Sequence, residues 1–222
     1  MKQEDVLQIL ADVGAVITGS HIVYTSGKHG SAYVNKDAVY PHTEAISLLC
    51  EAIAGKFFRN GENVEVVVAP ALGGIVLTQW VAHHLTRLAG REVLAVYAEK
   101  MPDGNFAFTR GYDKLVARKR ILVVEDILNT GGSARKVVDL VRSRGWVVGV
   151  GALCNRGGVT AEDLGVPKLT ALVDVNLDAW DEHECSLCAQ NVPVNTTVGK
   201  GKDFLARQAA SNEGRGCPVH SE

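Results

Sequence analysis

The stretch that most limits what this chain can fold into runs from Ile121 to Lys136: Ile-Leu-Val-Val-Glu-Asp-Ile-Leu-Asn-Thr-Gly-Gly-Ser-Ala-Arg-Lys. Ile121 to Val124 form an unbroken apolar run, which predicts a buried strand. Glu125 and Asp126 follow at once, and then a short loop, Asn129-Thr130-Gly131-Gly132-Ser133. Ala134, Val137, Val138 and Val141 recur at helical spacing, so a helix is predicted to start near Ser133. A strand, a tight loop and a helix N-terminus bring backbone N–H groups and the positive end of the helix dipole to one point, which suits a phosphate. Glycines let the main chain approach such an anion closely. Glu125 and Asp126 would repel a phosphate, but they suit sugar hydroxyls or a cation. Phosphate on one side and carboxylates on the other describe a ribose 5-phosphate site. Gly-Gly-Ser alone would be an ordinary βα turn; the full run in its strand–loop–helix context is far more specific.

The rest of the chain supports an α/β frame. Residues 3 to 13 read as a helix, ended by Gly14, and Thr43 to Phe58 as a second. Between them, short β-like pieces at 15–17, 22–24 and 33–35 are broken by glycines and predict a small antiparallel unit, a lid or hood. Strands are predicted at Val64–Val68, Val93–Tyr97, Ile121–Val124, Val147–Leu153 and Leu169–Val173. Helices follow the first and third of these. Such alternation predicts a central, mostly parallel sheet flanked by helices, with ligands at the carboxyl ends of the strands. Residues 100 to 119 are polar and read as a mobile loop. The expected organisation is a helix and hood at 1–42, an α/β core at 43–180 and a C-terminal extension at 181–222, its tail fraying from about residue 199.

The formal net charge of −2 gives no basic surface for nucleic acid, and no apolar run is long enough to span a membrane. The N-terminal residues lack the apolar stretch of a secretory signal, so a cytoplasmic protein is expected. The five cysteines do not resemble a secreted disulfide framework, and Cys50 and Cys154 are expected to be buried thiols. His183, Cys185 and Cys188 form half of a zinc-like pattern that Cys217 or His220 would have to complete. The expectation is a knuckle-like turn with reduced thiols and no metal in the functional site. An NAD-binding Rossmann domain fits poorly, because no G-x-G-x-x-G follows an early strand.

Val123-Val124-Glu125-Asp126-Ile127-Leu128-Asn129-Thr130-Gly131-Gly132-Ser133 resembles the phosphoribosyl pyrophosphate (PRPP) motif of type I phosphoribosyltransferases. The resemblance implies that Glu125 and Asp126 meet the ribose hydroxyls and that residues 127–133 hold PRPP. It implies that Ala71-Leu72-Gly73-Gly74 form the pyrophosphate loop. It also implies that Lys100 and Arg110, on a flexible loop often supplied by the neighbouring subunit, meet the leaving pyrophosphate. Tyr24 to Lys36 and Asn155-Arg156 resemble the orotate phosphoribosyltransferases, in which an arginine pairs with the orotate carboxylate. Arg156, Asn129 and Lys36 are therefore the orotate-binding candidates. The chain departs from many of those enzymes at Thr25 and Gly73, where they carry lysine, and at Asn129, where threonine is usual; Lys28 and Lys36 are candidates for the missing positive charge. The resemblance implies a magnesium cofactor, a homodimer and transfer to orotate. The alternatives are another base or a non-catalytic PRPP-sensing regulator.

Overall fold

The computed structural model describes residues 1–175 and 178–213. The chain divides into two compact units: Met1–Ala15 with Lys36–Asn176, and Val16–Asn35 with Leu177–Glu222.

The larger unit carries helices α1 (Gln3–Asp12), α2 (Thr43–Phe58), α3 (Gly74–Ala89), α4 (Tyr112–Val116), α5 (Gly132–Arg142) and α6 (Ala161–Leu164). Its strands are β3 (Val66–Pro70), β4 (Leu94–Lys100), β5 (Phe106–Ala107), β6 (Arg120–Leu128), β7 (Trp146–Asn155) and β8 (Leu169–Asp174). The smaller unit holds β1 (Val16–Val23) and β2 (His29–Val34), then α7 (Ser186–Ala189) and α8 (Gly201–Glu213).

The sheet order is β5-β4-β3-β6-β7-β8, parallel except for the β4–β5 pair. Val66, Val68, Ile121, Val123 and Val150 pack with Ala134, Val137, Val138 and Val141 of α5 in one apolar cluster. Leu77, Val81 and Leu85 of α3 and Ile46, Leu49, Ile53 and Phe57 of α2 are fully buried or nearly so, and both helices pack on the sheet. This alternation of strand side chains between two covered layers is why the strands read as continuous apolar runs. The chain passes from β3 to β4 on one side, then returns to β6 on the other side of β3. The order therefore reverses between β3 and β6, where doubly wound sheets bind ligands.

Three expectations are corrected. α1 does not group with the hairpin: Val6 and Leu10 are buried, and the helix packs on α2 and β8 of the larger unit. The hairpin groups instead with the C-terminal segment. Residues 100–119 are not one open loop. β5 pairs with Glu99 and Lys100, and Phe106 and Val116 join the core. The expected fraying from residue 199 gives way to a helix over Gly201–Glu213, anchored by Phe204, which is 4 % exposed; the tail from residue 214 lies outside the described residues. Cys217 and His220 lie outside the described residues. No helix among the described residues is long and apolar enough to cross a membrane.

Candidate active site

β6 continues to Leu128, past the apolar run, because β7 runs beside it as far as Asn155. Glu125 and Asp126 therefore sit within the strand, on opposite faces, at 7 % and 5 % exposure. The strand end delivers the chain to Asn129 and Thr130, both exposed, and then to α5. Gly131 caps the helix at φ +72°, and a Cβ there would lie 2.9 Å from Leu164 and 3.0 Å from Val159. Both the left-handed conformation and the lack of room require glycine. Gly132 and Ser133 open the helix on its exposed side, so first-turn amides with no acceptor inside the helix lie beside the loop.

Asp126 is the hub. Its Oδ2 accepts from Lys36 Nζ at 2.6 Å and from Tyr40 Oη at 2.9 Å, and the Ile127 amide donates to Oδ1 at 2.6 Å. The Asp126 amide donates to Glu125 Oε1 at 3.2 Å. Burial opposes the charge on Lys36, but the hydrogen bond and charge of Asp126 outweigh it and hold the ammonium above its ordinary range. Burial and then the Asp126 charge push the Tyr40 hydroxyl up, so it stays a donor. Burial first, and the neighbouring Asp126 charge second, raise Glu125 well above the usual carboxylate range.

The loop after β3 reaches the same hub. A Cβ on Gly73 would lie 2.2 Å from Asp126 Oδ2 and 2.7 Å from Lys36 Nζ. The Asp126–Lys36 pair thus fills the space a side chain at Gly73 would need, and the Lys36 ammonium stands beside position 73. Lys28 pairs with Asp181 within the smaller unit. Ala71 donates its amide to Ala98 O, Gly74 begins α3, and Leu72 stands 83 % exposed at the loop tip.

On the other side of β6, the amides of Arg156 and Gly157 both donate to Leu128 O, at 2.8 and 3.1 Å. A Cβ on Gly157 would sit 1.4 Å from Asn129 O, so the Arg156 loop and the Asn129 loop press together. The buried Asn155 side chain pins that loop through two hydrogen bonds to the Val159 main chain, each 3.0 Å. Lys36, Gly73, Asp126, Asn129 and Arg156 thus come together at the ends of β3, β6 and β7.

Lys100 and Arg110 are placed differently. Lys100 is exposed at the end of β4, and Arg110 Nε donates to Glu99 Oε1 at 2.8 Å. Tyr40 was missed in the sequence, where nothing distinguishes it from a packing tyrosine. Gly157 carried a usable signal, a second glycine directly after a strand-end arginine.

A parallel sheet whose reversal point joins a helix N-terminus, a buried acidic pair and a lysine is a sugar-phosphate-binding domain of the doubly wound class. The phosphoribosyl transferase domain family matches residues 35–183, and the chain belongs to that family. It is 35 % identical over 194 residues to the orotate phosphoribosyltransferase of Desulforamulus reducens, covering 87 % of this chain and 95 % of that one. It is 34 % identical over 197 residues to the orotate phosphoribosyltransferase of a Thermoanaerobacter species, covering 87 % and 96 %. Its fold matches the crystal structure of Mycobacterium tuberculosis orotate phosphoribosyltransferase with a TM-score of 0.62, at 24 % identity, over 78 % of this chain and 96 % of that one.

Proposed function

We propose that this chain transfers the 5-phosphoribosyl group of PRPP to orotate, giving orotidine 5′-monophosphate and pyrophosphate, as a cytoplasmic homodimer. The observation that carries this reading is the meeting of Lys36, Gly73 and Asp126 beside the loop at 129–133. Relatives named orotate phosphoribosyltransferase, matched over 95 % or more of their length, support the choice of base.

The displacement breaks the bond from the anomeric carbon to pyrophosphate and forms one from a ring nitrogen of orotate, whose N–H proton is given up to the departing pyrophosphate or to solvent. Positive charge develops on the ribose and negative charge on the leaving group. In the proposed mechanism the first-turn amides of α5, with Thr130 and Ser133, hold the 5-phosphate. Asp126 and Glu125 accept the ribose hydroxyls, and carboxylate charge favours a ring that is becoming cationic. A hydroxyl arriving at Asp126 Oδ2 displaces Lys36, whose ammonium turns to the pyrophosphate beside Gly73. Arg156 offers a two-pronged match to the orotate carboxylate. Lys100 and Arg110 meet the departing pyrophosphate, Arg110 exchanging its Glu99 partner for it, and they serve the neighbouring subunit.

Magnesium takes hard oxygen ligands and keeps several waters. The Asp126 carboxylate fits as an acceptor for those waters, with Glu125 beside it, and substrate oxygens would supply the direct bonds. The ion would neutralise charge on the pyrophosphate as it leaves.

Ultraviolet-monitored loss of orotate tests the reading. Loss is expected only when PRPP and magnesium are both present. Pyrophosphate release with a purine and none with orotate would overturn the choice of base. Light scattering that finds only monomer would overturn the shared loop.

A further inference from the structure

The smaller unit contains a cluster that phosphoribosyl transfer does not use. His21 on β1, His29 on β2, and Cys185 and Cys188 around α7 present four ligand atoms that all lie within 4.8 Å of one another. We propose that these four side chains bind one zinc ion, which fastens the C-terminal segment to the hairpin.

The distances support a tetrahedron. His21 Nε2 lies 2.9 Å from His29 Nδ1, 3.7 Å from Cys185 Sγ and 3.6 Å from Cys188 Sγ, and Cys188 Sγ lies 3.2 Å from His29 Nδ1. Zinc with Zn–N near 2.0 Å and Zn–S near 2.3 Å needs edges of roughly 3.3 to 3.8 Å. Of these four edges two already fall in that range and the two short ones would open by a few tenths of an ångström, while the two remaining edges, from Cys185 Sγ to Cys188 Sγ and to His29 Nδ1, are at most 4.8 Å.

The hydrogen-bond inventory points the same way. His21 Nδ1 lies 2.8 Å from Val192 O, an acceptor only, so Nδ1 carries the proton and Nε2 presents a bare lone pair to the centre. A carbonyl that fixes the tautomer of a ligating imidazole is the usual support behind a zinc histidine. His29 Nε2 is buried, with no hydrogen-bond partner among the described residues. If His29 carries its proton there, two lone pairs face each other at the centre. If it carries the proton on Nδ1, Nε2 becomes an unsatisfied buried acceptor. In the first case a cation at the centre takes both lone pairs, and the Nε2–H is left without an acceptor among the described residues. Two thiolates and two neutral imidazoles also cancel the charge of Zn²⁺, and this mixed sulfur–nitrogen set selects zinc over magnesium or calcium.

The fold supplies a reason for the ion. Among the described residues, the apolar side chains buried in the smaller unit are Ile22, Val23, Tyr24, Val34, Cys185 and Phe204. A two-stranded hairpin with so few is marginal without a further fastening. The C-terminal segment pairs with the hairpin at isolated bridges, His21 with Val194 and His29 with Trp180, and through scattered hydrogen bonds such as those from the Asn195 and Lys200 amides to His21 O and Val23 O, so a metal between the same strands and Cys185-x-x-Cys188 locks those contacts. All four ligands lie outside residues 35–183, the stretch that the family match covers. The nearer histidine, His183, is not one of them; its side chain is 81 % exposed.

Elemental analysis of the full chain, purified without added metal, tests the proposal. About one zinc per chain is expected, falling to near zero in Cys185→Ser and Cys188→Ser and unchanged in His183→Ala. In case those serine variants fail to fold, cobalt is titrated into metal-stripped wild type. Intense visible bands of tetrahedral cobalt, with thiolate charge transfer, are expected, and His29→Cys is expected to retain binding with stronger charge transfer. Iron in place of zinc, or folded wild type that takes up neither zinc nor cobalt, would overturn the proposal. So would loss of zinc in His183→Ala with retention in Cys185→Ser. None of these readouts involves turnover.

Discussion

The larger unit covers both faces of a six-stranded sheet with apolar side chains, whereas the smaller unit is a two-stranded hairpin with a short C-terminal segment and a thin core. In the first, burial of Val66, Leu122, Val123 and their neighbours is the stabilising term, and it leaves the strand ends free to carry chemistry. In the second, polar ligand atoms stand where apolar side chains would otherwise meet. Two regions of one chain can thus rest on different physics, and each should fail under a different insult.

Chelation should produce the largest effect. Stripping zinc from the full chain is expected to remove amide-exchange protection throughout β1, β2 and α7 while β3, β6 and β7 keep theirs. Equal loss in both units would break the comparison. Leu122→Ala is the converse insult. Leu122 is fully buried, and truncation should cost about 2 to 5 kcal/mol by denaturant unfolding with zinc content unchanged. Asp126→Asn keeps an acceptor for Tyr40 but loses the charge that holds Lys36, and should lower turnover roughly ten- to a hundredfold with little change in melting temperature. Thr160→Ala should have the smallest effect. Thr160 Oγ1 accepts from the Asp163 amide at the start of α6, and its loss should cost about 1 kcal/mol with both sites intact.

Much of the larger unit was legible in the sequence because its signals are local. The apolar run at Ile121–Val124, the glycines at 131 and 132 and the helical spacing after Ser133 all fall within one short stretch, and the strand, loop and helix stand where they point. The hub around Asp126 was legible only in part. Lys36 and Gly73 could be named as candidates, but no periodicity says that the Lys36 ammonium fills the space in front of Gly73. Tyr40 is outside any local pattern for the same reason. The grouping of His21, His29, Cys185 and Cys188 was not legible, because sequence proximity points to His183, whereas the fold brings His21 and His29 to Cys185 and Cys188. The C-terminal helix was missed because a polar segment with one buried aromatic, Phe204, has almost no amphipathic signature.

The most direct test of the central claim, that the ends of β3, β6 and β7 form a PRPP site, is calorimetric titration of PRPP with magnesium into the full wild-type chain. Saturable binding of about one PRPP per chain is expected, weakened by Gly73→Ala, whose methyl group would collide with Asp126 and Lys36. No binding heat from well-folded wild-type protein at several temperatures would contradict it.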